Sequence, residues 1–116
     1  MHELSLACAL IEKIESLKQE HHFKTVKKII VEIGTFSNVV PELFKDAFEC
    51  AKIGSCAQSA TLTIEDKRGR FICKSCGKTY TPEIPIAICP YCGKPSGMIE
   101  QGREIILKTL EVDDED

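Results

Sequence analysis

Residues 73–93, "CKSCGKTYTPEIPIAICPYCG", decide how the whole chain is read. They hold Cys73, Cys76, Cys89 and Cys92 as two Cys-x-x-Cys pairs with twelve residues between them. Two intervening residues let the backbone turn tightly enough for both sulfurs of a pair to reach one ion, and Gly77 and Gly93 follow where such turns adopt positive φ. Pro90 fixes a φ angle in the second pair and withdraws a backbone donor. Four thiolates in a closed tetrahedral set favour Zn(II). The bound ion supplies folding energy to a segment too poor in large apolar residues to fold on its own. The zinc is expected to be structural, because four protein ligands leave no coordination position for water or substrate. A single Cys-x-x-Cys would also suit thiol–disulfide exchange, but that chemistry sits in a βαβ context that this stretch lacks.

On both sides the pattern changes. Within residues 4–19, Leu6, Leu10, Ile14 and Leu17 recur at steps of three and four, which predicts an amphipathic helix. "VKKIIVEIG" (26–34) is rich in branched residues and ends on glycine, as a strand does before a turn. Pro41 suits a first helical turn, and Leu43, Phe44, Ala47, Phe48 and Ala51 behind it predict the apolar face of a second helix. "ATLTIEDK" (60–67) and "REIILKTLEV" (103–112) read as strands that pair with each other across the cysteine-rich stretch. The expected fold is therefore α+β: a small mixed β-sheet packed with two helices, with an inserted zinc-ribbon module. Residues 1–66 plus 98–116 form a discontinuous α/β domain, and 67–97 the inserted four-cysteine zinc-binding domain.

Composition narrows the function classes. A chain of 116 residues with 43% hydrophobic residues supports one modest core and an appendage stapled by metal. A net charge of −3 does not advertise nucleic acid or an anionic membrane, and no apolar run approaches the roughly 20 residues of a membrane span. No secretion signal is evident, so a cytoplasmic location is expected, where seven cysteines speak for metal rather than disulfides. Cys8, Cys50 and Cys56 have no metal-type spacing and are expected to be buried or semi-exposed thiols. His21 and His22 are expected just past the first helix, where cationic character suits the negative end of the dipole. The acidic "DDED" end reads as solvated.

The start, "MHELSL", carries a second metal-binding pattern. The Met1 amine and the His2 amide nitrogen close a five-membered ring on a metal, and that amide with the His2 imidazole closes a six-membered one. The Glu3 backbone nitrogen or its carboxylate offers a fourth donor. Nitrogen-rich tetragonal surroundings suit Ni(II) or Cu(II). A solvated histidine beside a helix-start glutamate is the plain alternative.

Taken together, "MHELSL", "IGTFSNVVPELFKDAFE", the double Cys-x-x-Cys and "QGREIILKTLEV" resemble the HypA/HybF family of hydrogenase nickel-incorporation proteins, in order and over nearly the whole chain. The resemblance implies a nickel site at Met1, His2 and Glu3 and zinc ligands at Cys73, Cys76, Cys89 and Cys92. It further implies a metallochaperone, not an enzyme, that carries labile Ni(II) to the large subunit of a [NiFe] hydrogenase. Its partner would be a HypB-type nickel GTPase, and some relatives also support urease maturation. A monomer or weak homodimer is expected, with neither nucleic acid nor membrane as partner. No histidine follows His22, so the zinc module has no imidazole to lend to nickel. The main rival is a zinc-ribbon adaptor, for protein or nucleic acid, without a nickel site.

Overall fold

The computed structural model describes residues 3–82 and 86–113. Met1 and His2, expected at the nickel site, lie outside the described residues, as do Glu83 and the last three residues. The chain divides into two compact units, residues 1–31, 39–65 and 106–116 in the first, and 32–38 and 66–105 in the second.

Helix α1, Glu3–His21, buries Ala7 and Ile14 and half-buries Leu6, Leu10 and Leu17, as a stripe with helical spacing must. It ends where His22 takes a φ of 59° and its N–H bonds the Lys18 carbonyl at 2.8 Å. His21 is the last helical residue rather than one past the end. Strand β1, Thr25–Gly34, leads to helix α2, Pro41–Ala51, and then to strand β2, Thr61–Lys67. Proline opens α2 because the first helical N–H needs no partner. Phe44 and Phe48, one turn apart, are buried, whereas Leu43 is 53% exposed. That corrects the expected apolar face: one residue back along a helix is about 100° around it, which takes Leu43 off the phenylalanine stripe.

Strand β6, Ile105–Asp113, completes a three-stranded sheet in the order β2-β1-β6. The two strands expected to pair are therefore not neighbours, because β1 lies between them. Its Val26, Ile29, Val31 and Ile33 are all buried, against Leu62 alone in β2 and none in the described part of β6. The backbone bonds Val26 N–Cys56 O and Thr35 N–Lys67 O, both 3.0 Å, advance together and mark β1 and β2 as parallel. Lys24 N–Asp113 O (3.0 Å) and Gly34 N–Glu104 O (2.9 Å) run in opposite senses and mark β1 and β6 as antiparallel. The sheet is mixed, and α2 is the crossover that a parallel pair requires.

In the second unit, strands β3, Arg70–Cys73, β4, Thr79–Tyr80, and β5, Gly97–Gln101, form an antiparallel sheet in the order β4-β3-β5. Its core is small: Phe71, Cys73, Tyr80 and Cys89 are buried, with Phe36, Ala87 and Ile99 packed against them. The Phe36 and Phe71 rings lie 4.9 Å apart, and Phe71 and Tyr80 5.5 Å. Backbones meet closely beside this stack. A Cβ on Gly34 would collide with the Gly102 carbonyl, and one on Gly102, whose φ is +110°, would come within 2.7 Å of the Gly69 Cα.

Candidate metal centre

The two halves of the cysteine motif build the same turn twice. Cys73 N–H bonds the Lys78 carbonyl at 2.9 Å and Gly77 N–H returns to the Cys73 carbonyl at 2.8 Å. In the second half, Cys89 N–H bonds Lys94 O at 3.1 Å and Gly93 N–H bonds Cys89 O at 2.8 Å. Gly77 and Gly93 have φ values of +76° and +75°, the left-handed conformation that a side chain would strain. Strand β3 delivers the first turn, which leads into β4, and the second turn precedes β5.

The four sulfurs lie within 4.8 Å of one another, with Cys73–Cys92 at 3.6 Å and Cys76–Cys89 at 3.7 Å. Tetrahedral Zn–S bonds of about 2.3 Å set sulfurs about 3.8 Å apart, so the two close pairs match zinc and the wider separations draw in slightly around the ion. The first cysteine of each pair, Cys73 and Cys89, is buried, and the second, Cys76 and Cys92, exposed.

Taken as thiols alone, the four divide along the same line. The Ser96 hydroxyl, 3.2 Å from the Cys73 sulfur, and then the Cys76 N–H draw Cys73 down to about 6. Burial raises Cys89, but the N–H groups of Cys92 and Tyr91 outweigh it and leave the thiol lowered; the Tyr91 N–H lies 3.4 Å from the sulfur. Cys92 is pulled down by the Lys94 N–H, yet the partial desolvation of its sulfur, although the residue is exposed, and its sulfur neighbours carry it to about 11. Cys76 is raised in the same way against the Lys78 N–H. Four thiolates at this spacing need a cation to coexist. Zinc at this set would displace the protons held on Cys76 and Cys92, so its affinity falls with acid.

The sequence does not single out Ser96. Its hydroxyl also lies 3.0 Å from that of Ser75, and the β3–β5 register, which pairs Cys73 with Gly97, carries it there. Nothing in a lone Pro-Ser-Gly announces that register. Of the other cysteines, Cys8 and Cys50 are exposed rather than covered, and Cys56 is half-buried. Cys56 is raised to about 11 by burial first and then by Glu15. Among the described residues, Cys73, Cys76, Cys89 and Cys92 are the one group of three or more histidines, cysteines or carboxylates placed to share an ion.

Of the nickel pattern, Glu3 is described. It opens α1, and its Oε2 accepts the N–H of Val40, the residue before α2, at 3.2 Å.

A closed four-sulfur ribbon and a helix-on-sheet unit in one chain define a small zinc-stabilised protein with no open metal position in the ribbon for catalysis. The family described as "Hydrogenase/urease nickel incorporation, metallochaperone, hypA" matches residues 1–112. The hydrogenase maturation factor HypA of Wolinella succinogenes is 37% identical, over 100% of this chain and 98% of its own. That of Psychromonas ingrahamii is 38% identical, over 97% and 99%. The solution structure of the Ni metallochaperone HypA from Helicobacter pylori superposes with a TM-score of 0.75 at 30% identity, covering 99% of this chain and 100% of that one. The chain belongs to the HypA family of nickel-incorporation metallochaperones. No helix among the described residues is long and apolar enough to cross a membrane.

Proposed function

We propose that this protein binds Ni(II) at its first three residues and delivers it, in the cytoplasm, to the large subunit of a [NiFe] hydrogenase. A HypB-type GTPase acts with it, and the protein itself has no catalytic turnover. Cys73, Cys76, Cys89 and Cys92 hold the structural zinc. The observation that carries the reading is the family match over residues 1–112, which takes in the Met-His-Glu start.

Glu3 refines the donor set. Its carboxylate is engaged at the head of α2, which favours its backbone nitrogen as the fourth donor. The first four N–H groups of a helix have no acceptor within it, so turning the Glu3 nitrogen to a metal breaks no helical bond. Amine, two deprotonated amides and imidazole around a divalent ion make a neutral complex, which the positive end of the α1 dipole does not repel. A chelate at a chain end opens one donor at a time, and this suits a carrier that must let go.

The test is nickel titration of the native-start protein beside His2→Ala and a version extended by a few residues before Met1, with zinc content measured in each. Both variants should lose nickel binding by at least about tenfold, or roughly 1.4 kcal/mol, and keep their zinc. Unchanged nickel uptake by the extended form would overturn the chelate.

A further inference from the structure

The ribbon is an internal repeat, and its hydroxyl groups break the repeat. Laying Cys73 and Cys76 on Cys89 and Cys92 also lays Ser75 on Tyr91, Lys78 on Lys94 and Tyr80 on Ser96. The backbone obeys this match, because equivalent N–H groups reach equivalent sulfurs. Those of Cys76 and Ser75 serve Cys73, as those of Cys92 and Tyr91 serve Cys89. Lys78 serves Cys76 as Lys94 serves Cys92. The side chains depart from it. Ser96 Oγ lies 3.2 Å from the Cys73 sulfur, and Ser75 Oγ lies 3.0 Å from Ser96 Oγ. Their counterparts bring no hydroxyl to Cys89: Tyr91 is 61% exposed with the Lys78 ammonium over its ring, and the buried Tyr80 hydroxyl has no hydrogen-bond partner among the described residues.

The backbone fixes this contact from both sides. Lys74 N–H bonds the Ser96 carbonyl at 3.0 Å, and Cys73 faces Gly97 in the β3–β5 register. Ser96 is half-buried, which limits competition from water. Ligation then sets the direction of the bonds. A free thiol at Cys73 can donate or accept, whereas a thiolate only accepts, so the Ser96 O–H turns to the sulfur and the Ser96 oxygen is left to accept the Ser75 O–H. A bond to a charged acceptor is strengthened by that charge, and a hydroxyl that itself receives a hydrogen bond donates more strongly. Groups that orient a metal ligand in this way are worth about 10–100-fold in metal affinity.

We propose that Ser96 is a positioning residue of the zinc centre: its O–H, with Ser75 turned onto it, donates to the Cys73 sulfur, makes that ligand unlike its counterpart Cys89 and tightens the hold of the ribbon on its ion. The proposal rests on the zinc reading of the four cysteines and is independent of the nickel reading, so the test is run without nickel.

The full chain is loaded with zinc, whose retention is read by competition with a chelator, or with Co(II), whose thiolate-to-metal charge-transfer band reports the sulfurs. A hydrogen bond lowers the energy of a sulfur lone pair, so its loss moves the band to longer wavelength. Ser96→Ala should weaken zinc retention by about tenfold and move the band, while Ser96→Thr, which keeps the hydroxyl, should restore both. Ser75→Ala should have a smaller effect alone and none in the Ser96→Ala chain, as a group acting through another must. Tyr80→Phe removes the equivalent hydroxyl of the other half and should change neither reading. Unchanged zinc retention or an unmoved band in Ser96→Ala, no rescue by threonine, or an equal effect of Tyr80→Phe would overturn the proposal. Should Ser96→Ala fail to fold, Ser75→Ala decides, a moved band supporting the proposal and an unmoved one overturning it. A native chain that takes up neither zinc nor Co(II) would overturn the zinc reading and this inference with it, whereas full uptake with identical spectra in every variant overturns this inference alone.

Discussion

The two units of this chain are held together by different physics. The first packs Ile14, Ile29, Val31, Phe44, Phe48 and Leu62 into an apolar interior between two helices and a sheet. The second buries Phe71, Tyr80 and two sulfurs. Burial of a large side chain contributes roughly 1.5–3 kcal/mol, so two rings offset only a small part of the cost of ordering the ribbon. Structural zinc in small finger peptides contributes about 10–16 kcal/mol. One unit is therefore stable because of what it keeps from water, and the other because of the ion its thiols can share.

The largest effect should come from removing the ion. Chelation, or Cys73→Ala, is expected to abolish the β3–β5 amide signals while far-ultraviolet helicity from α1 and α2 persists. A ribbon that stays ordered without metal would erase the distinction between the units. The converse is Phe48→Ala, expected to cost about 3–5 kcal/mol in denaturant unfolding with four-thiol zinc stoichiometry retained in the native state. Zinc loss in that variant under native conditions would show the units to be one cooperative block.

The smallest effect concerns Glu15, whose Oε2 accepts the Cys56 N–H at 2.8 Å. That bond, first among the causes, holds its carboxyl below the usual range. A carboxyl lowered on folding adds stability above its ordinary value, and that stability is lost as pH falls through the lowered one. Glu15→Ala should cost about 1 kcal/mol at neutral pH and progressively less in acid. A penalty that did not depend on pH would assign the contact to packing instead.

How much of this is legible in the residues follows from range. Both helices and all three long strands show in local periodicity, because their apolar spacing is written within a few residues. The thiol set shows too, since Cys-x-x-Cys-Gly is a local turn and its repetition fixes the number of ligands. The strand order does not show: pairing 60–67 with 103–112 is the economical closure of an insertion, but β1, no richer in apolar residues than β6, takes the centre. Hydropathy alone places Leu43 inside, although Phe44 and Phe48 fix the helix rotation. Ser96 and Phe36 depend on register and on contacts across dozens of residues, for which no local pattern exists. Met1 and His2 lie outside the described residues, so the nickel chelate stands on chemistry and family membership.

The Phe36 ring against Phe71 has a bearing on modularity. Every ribbon thiol lies between residues 66 and 105, yet the aromatic lid over that side of the ribbon arrives on a short excursion of residues 32–38, and Gly34 comes with it. A synthetic peptide spanning the cysteines would chelate and still leave a phenylalanine bare. The ribbon is thus not a cassette that can be lifted out by cutting at its flanks: a faithful transplant has to carry two pieces of chain.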